Sequence, residues 1–143
     1  MFDNHDVLIS LEERHAENII RGTKLVELRR RRMNVPVGAV VWMYVKSPTA
    51  AVIGRASVSE VHSLAPRTLW QRFSNTCGLT RVEFFSYFSG TTKGFALSLS
   101  NVERLTDPVS LGQLRQSGSQ FHPPQFFMRL KQGSALLKRL KAD

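Results

Sequence analysis

Between residues 7 and 29 the hydrophobic period changes twice, and this double switch constrains the fold more than any other feature of the chain. Val7, Ile9 and Leu11 alternate with residues of a second face, the two-residue period of a strand. Ala16, Ile19 and Ile20 then fall at helical spacing, and Ser10 with Glu13 predicts a capping box at the helix start. Gly22 supplies the left-handed residue that ends the helix. From Thr23 the period returns to two, with Val26 and Leu28 on one face and Leu25, Glu27 and Arg29 on the other.

The same alternation predicts a largely buried strand over 39–46, delivered by a turn at Pro36–Gly38, and another over 50–61 after the exit at Ser47-Pro48-Thr49. Gly54 inside the latter points to a bulge or a close backbone approach. Two helices come next. Pro66 opens the first, with an inner stripe of Leu69, Trp70 and Phe73; Thr80 and Glu83 cap the second, whose stripe is Val82, Phe85 and Phe88 before Gly90. A strand over 94–105 carries Phe95, Leu97 and Leu99 on one face and breaks at Asp107-Pro108. A short helix near 110–116, a strand over 125–130 and a basic helix or tail over 131–143 complete the chain. Strands divided by turns, with helices inserted between them, fit a single α+β domain built on a small mixed β-barrel with flanking helices rather than a doubly wound sheet. Trp42 and Trp70 are assigned to the core.

Charge narrows the function. The 143 residues carry a formal net charge of +9, which favours polyanionic partners because neutralised phosphates release condensed counterions. No apolar run is long enough to span a bilayer, and Met1–Asp6 lacks a signal-peptide pattern. The single cysteine, Cys77, forms no internal disulfide, so a cytoplasmic location is the default reading. His5, His15, His62 and His122 show no metal-ligand spacing, and no Gly-rich phosphate loop occurs. Nothing in the sequence calls for a cofactor.

In order along the chain, SLEERHAENIIRGTKLVELRRR at 10–31, MYVKSP at 43–48, VIGRASVSEV at 52–61, YFSGTTKGFALSLSNVERL at 87–105, DPVSLGQLR at 107–115 and PPQFFMRL at 123–130 resemble the motifs of an ASCH domain, a branch of the PUA-like superfamily. The resemblance implies a PUA-like barrel with a cleft for RNA or a nucleotide-like ligand. Some ASCH proteins are credited with hydrolysing acylated cytidines, others with cleaving RNA.

The cleft implied by the resemblance is basic and built around Lys24, Glu27 and Arg29, a carboxylate to read a donor on the ligand and two cations for phosphate or sugar oxygens. The structural alternative is an exposed Glu27–Arg29 pair one pleat apart. The run Arg29–Arg32 alternates faces, so Arg31 and its neighbours form a rim that meets phosphates non-specifically. Tyr44 stacks on a base or packs in the core; Ser47 and Thr49 stand in the turn beyond it. Lys93 and Tyr87 edge the cleft, and Gln125 belongs to the terminal PQ-aromatic motif. The ligand-binding set is therefore Lys24, Glu27, Arg29, Arg31, Tyr44, Ser47, Thr49, Lys93 and Gln125. Catalytic candidates are Lys24, Glu27 and Tyr44, with no metal. The acyl-cytidine hydrolases resembled here use a Lys, a Thr three residues on and a later Glu; Lys24 matches, Glu27 stands at the Thr position, and 75–80 (NTCGLT) holds no acid. Three readings stand: an RNA- or nucleotide-binding domain, a ribonuclease or nucleoside-directed hydrolase using the same cleft, and a module for an acidic protein partner.

Overall fold

The computed structural model describes residues 5–118 and 120–142. Its elements in chain order are β1 (Asp6–Leu11), α1 (Glu13–Arg21), β2 (Val26–Arg29), β3 (Val40–Val45), β4 (Ala51–Leu64), α2 (Pro66–Phe73), α3 (Arg81–Tyr87), β5 (Gly94–Ser110), α4 (Leu111–Ser117), β6 (Phe127–Leu130) and α5 (Ala135–Lys141). The strands form one sheet in the order β2-β5-β4-β3-β1-β6. β1 and β3 run parallel and the other pairs antiparallel. β4 and β5, at 14 and 17 residues, slip register at three places along their ladder. Such bulges add local twist, and they curl the mixed sheet into a half-barrel. The curl does not close: among the described residues β2 pairs only with β5 and β6 only with β1, so an open seam separates two edge strands.

Both faces of the sheet are covered, which is why 40–45 is apolar throughout instead of alternating. Val7, Ile9, Met43, Val45 and Leu97 fill the hollow of the curl with Ala16 and Ile19 of α1. Leu8, Trp42, Tyr44 and Val52 pack on the other face against α4 and α5 through Leu114, Leu137 and Leu140. Trp42 is fully buried, and its indole N–H donates to Asp6 Oδ2 at 2.9 Å. A third cluster joins Val26 and Leu28 of β2 to Leu69, Phe84 and Phe88, so α2 and α3 clamp the edge strand.

Gly22 ends α1 at φ 83°, and the Thr80–Glu83 box caps α3 as predicted. Gly54 lies at a register shift, where a Cβ would stand 2.7 Å from the Glu103 carbonyl oxygen. Three predicted details differ. Ser10 belongs to β1 and its hydroxyl donates to the Pro124 carbonyl at 2.6 Å, so the N-cap of α1 moves from Ser10 to Glu12 and has no side-chain cap. Asp107-Pro108 does not end β5, because the ladder skips from Gly54↔Arg104 to Val52↔Val109 and the proline sits in the bulge, where no N–H is required. In α3 the buried residue is Phe84 rather than Val82, which is 80% exposed, since the helix meets β2 and α2 through its Phe84–Phe88 side. The predicted basic tail forms α5 with Leu137 and Leu140 buried and Leu136 half-buried; Asp143 lies outside the described residues.

Candidate functional site

Where β2 faces the ends of β1 and β3 across the seam, a cleft of about 260 Å³ opens. Lys24 and Glu27 form its β2 wall, and His15 and Arg14 enter from α1. α3 contributes Glu83 and Tyr87, and Lys46 comes from the residue after β3.

Local structure explains the β2 wall. The left-handed Gly22 turns the chain out of α1, and the Thr23 and Lys24 amides both donate to the Asn18 carbonyl at 3.0 Å. That turn drops Lys24 under the loop after α2, where it is 2% exposed and its ammonium donates to the Cys77 carbonyl. Glu27, 7% exposed, sits between two cations: Oε1 lies 3.7 Å from Lys24 Nζ and Oε2 lies 3.2 Å from Arg29 Nη2. Burial pushes the Lys24 ammonium below its ordinary range even though Glu27 pulls it back up. Burial, reinforced by the Lys24 charge, also holds His15 below its ordinary value, so its imidazole is neutral. Tyr87 donates to the Leu28 carbonyl at 3.3 Å, and burial raises its phenol. His15 Nδ1 and both Nε and Nη2 of Arg29 are buried and meet no hydrogen-bond partner among the described residues. Nη2 is compensated by its ion pair with Glu27, so Arg29 Nε is the guanidinium N–H left without a partner, and a buried N–H in that state costs about 1–3 kcal/mol.

The cleft is not basic as expected. Arg14, Lys24 and Lys46 are balanced by Glu12, Glu27 and Glu83, and Arg14 already holds Glu83 at 2.6 Å. The excess positive charge lies next door, in a groove of about 360 Å³ lined by Arg29, Arg30, Arg31 and Arg32 and sharing Tyr87 with the first cleft. Of the predicted set, Lys24, Glu27 and Arg29 come together, and Arg31 joins the neighbouring groove. Tyr44 does not line the cleft: it is 3% exposed and packs with Trp42 and Leu114 on the far face of the sheet. Ser47, Lys93 and Gln125 are exposed and line neither cavity, and Thr49 donates to Glu13 at 2.9 Å. Sequence reasoning missed His15, Arg14, Lys46 and Glu83 in this role. His15 sits one residue before the stripe-forming Ala16 and Glu83 looked like a cap alone; only the packing of α1 and α3 across the seam turns them inward. No cluster of three or more metal-ligating side chains occurs among the described residues.

Comparison with known proteins agrees with this architecture. No protein-family model matches the chain. An ASCH domain-containing ribonuclease of Zymomonas mobilis is 33% identical over 123 residues, covering 86% of this chain and 82% of that protein. The chain belongs to the ASCH domain family. The crystal structure of the ASCH protein from Zymomonas mobilis superposes with a TM-score of 0.91 at 31% identity, covering 98% of this chain and 96% of that one. A serine-to-alanine variant of the same protein gives 0.91 at 30% identity, covering 99% and 98%. Human THYN1, crystallised with DNA containing 5-methylcytosine, shares the fold alone at 9% identity, with a TM-score of 0.57 over 96% of this chain and 95% of that one. Of the three carboxylates lining the cleft, Glu83 is engaged by Arg14 and by the Thr80 amide.

Proposed function

We propose that this ASCH domain cleaves single-stranded RNA, with Glu27 as the base. The observation that carries this reading is a buried carboxylate on the cleft wall, held between Lys24 and the Arg29 of the adjoining groove. The 33% identity to an ASCH ribonuclease supports it. In the proposed step Glu27 takes the proton of a 2′-hydroxyl, O2′ attacks the adjacent phosphorus, and the P–O5′ bond breaks. The Arg29 guanidinium, at the junction of groove and cleft, offsets the charge that builds on the phosphoryl oxygens. Lys24, whose ammonium burial makes a better proton donor, protonates the departing O5′. Glu27 Oε1, 3.7 Å from Lys24 Nζ, then returns the proton to the lysine, so the net transfer runs from 2′-hydroxyl to 5′-oxygen. The products are a 2′,3′-cyclic phosphate and a 5′-hydroxyl.

The test is cleavage of an end-labelled single-stranded RNA, with product ends identified by mass. Glu27→Gln is expected to lower kcat by about 10²–10⁴-fold. A strand with deoxyribose at the scissile position is expected to resist. Well-folded wild-type protein that leaves RNA intact overturns the reading. Retained affinity would then leave an RNA- or nucleotide-binding domain, and absent affinity a module for an acidic protein.

A further inference from the structure

We propose that the groove in the open seam is a stacking and phosphate-binding subsite for single-stranded RNA, holding the nucleotides next to the bond presented to the cleft. Its placement relative to that bond rests on the ribonuclease reading; its affinity for the strand does not. The seam exists because the half-barrel leaves β2 and β6 unpaired with one another, and the groove lies between the end of one and the start of the other. Four consecutive arginines line it and no carboxylate does. Its volume of about 360 Å³ falls in the range of ligand sites, roughly 300–1,000 Å³.

The arginines are not a loose brush. Arg30 Nη1 donates to the carbonyls of Tyr87 and Ser89 at 2.7 and 2.8 Å, which ties the run to the end of α3. The Arg31 guanidinium sits 5.8 Å from the centre of the Phe126 ring, and Arg32 lies 5.9 Å from Phe95. Phe126 is 51% exposed at the lip of the groove, so part of its ring is open to a stacking partner. Planar cations beside an exposed ring suit a splayed base with its phosphate, because bases stack on aromatic and guanidinium faces while the charge meets the backbone. A duplex, with bases already stacked, offers no such face. Tyr87 and the Glu27–Arg29 pair stand at the junction of groove and cleft, so one strand can thread both.

The experiment is fluorescence anisotropy with a 2′-O-methylated oligonucleotide of about ten residues, which spans a single-strand site and lacks the hydroxyl needed for cleavage. Phe126→Ala is expected to weaken binding by about 5- to 150-fold, and Phe126→Tyr to stay within about twofold of wild type. Arg31→Gln is expected to weaken binding and to reduce the slope of log K against log salt by about one. Thermal melting alongside confirms that each variant is folded. Binding by both Phe126→Ala and Arg31→Gln within about twofold of wild type overturns the proposal, as does equal displacement of the probe by polyglutamate. Probe binding through Phe126 by a protein that cleaves no RNA sinks the ribonuclease reading alone. RNA cleavage with an unchanged KM in Phe126→Ala sinks the groove alone.

Discussion

Replacing Glu27 by Gln tests whether the ion pairs beneath the cleft are truly desolvated. At 3.7 Å and an effective dielectric of about 20, the Glu27–Lys24 attraction is on the order of 4 kcal/mol, and the Arg29 contact at 3.2 Å is comparable. Much of that gross attraction offsets the cost of burying the charges, so the measurable quantity is the stability lost when one partner is removed. Lys24 is 2% exposed and would keep only neutral acceptors, the Cys77 carbonyl and the amide oxygen of the substituted side chain, with no charge to balance its own. The expected loss is about 3–5 kcal/mol, or roughly 10 °C in Tm for a domain of this size. The loss should also depend on pH. Burial already sets the folded-state pKa of Lys24 below its ordinary 10.5, and Glu27 is the main group opposing that shift. Without Glu27 the folded value drops further. Between that value and 10.5 the unfolded chain binds more protons, so stability rises with pH there, and the window widens in Glu27→Gln. Urea unfolding at intervals from neutral to mildly alkaline pH reads both effects. Adding Lys24→Met to Glu27→Gln should recover part of the loss, because the stranded charge is gone. Additive losses in that double variant, or a Glu27→Gln cost below about 1 kcal/mol without pH dependence, would mean a solvated pair and refute the reasoning.

Three further outcomes are expected. Arg14 and the Thr80 cap hold the Glu83 carboxyl at about 2, so its NMR titration should sit there in the wild type and move up toward 4.5 in Arg14→Ala. Gly54→Ala places a Cβ 2.7 Å from the Glu103 carbonyl oxygen and should cost about 1–3 kcal/mol in denaturant unfolding, by forcing β4 and β5 apart. Phe84→Ala empties the centre of the cluster that clamps β2 and should cost about 3–5 kcal/mol, measured the same way.

Much of the secondary structure was legible because local rules were obeyed: Gly22 and Gly90 adopt positive φ, Thr80 closes its box with Glu83, and the apolar run at 40–45 is buried on both faces. Failures arose where a distant partner displaced a local one. Ser10 hydroxyl prefers the Pro124 carbonyl, 114 residues away, to the helix it was expected to cap. Pro108 survives inside β5 because β4 slips past it.

Local pattern was enough to put Glu27 and Arg29 on one strand face, to set Lys24 beside them through the turn at Gly22, and to mark the surplus of arginine just beyond. Periodicity and turn chemistry act over a few residues, so one chain suffices to read them. Packing between distant segments was needed to leave the barrel open, to bring His15 and Glu83 toward Glu27 from separate helices, and to turn Tyr44 to the opposite face. The same packing divides the charge into a balanced cleft and an all-arginine groove. Those outcomes depend on which edges of a curled sheet come to face each other, and no pattern confined to neighbouring residues encodes that.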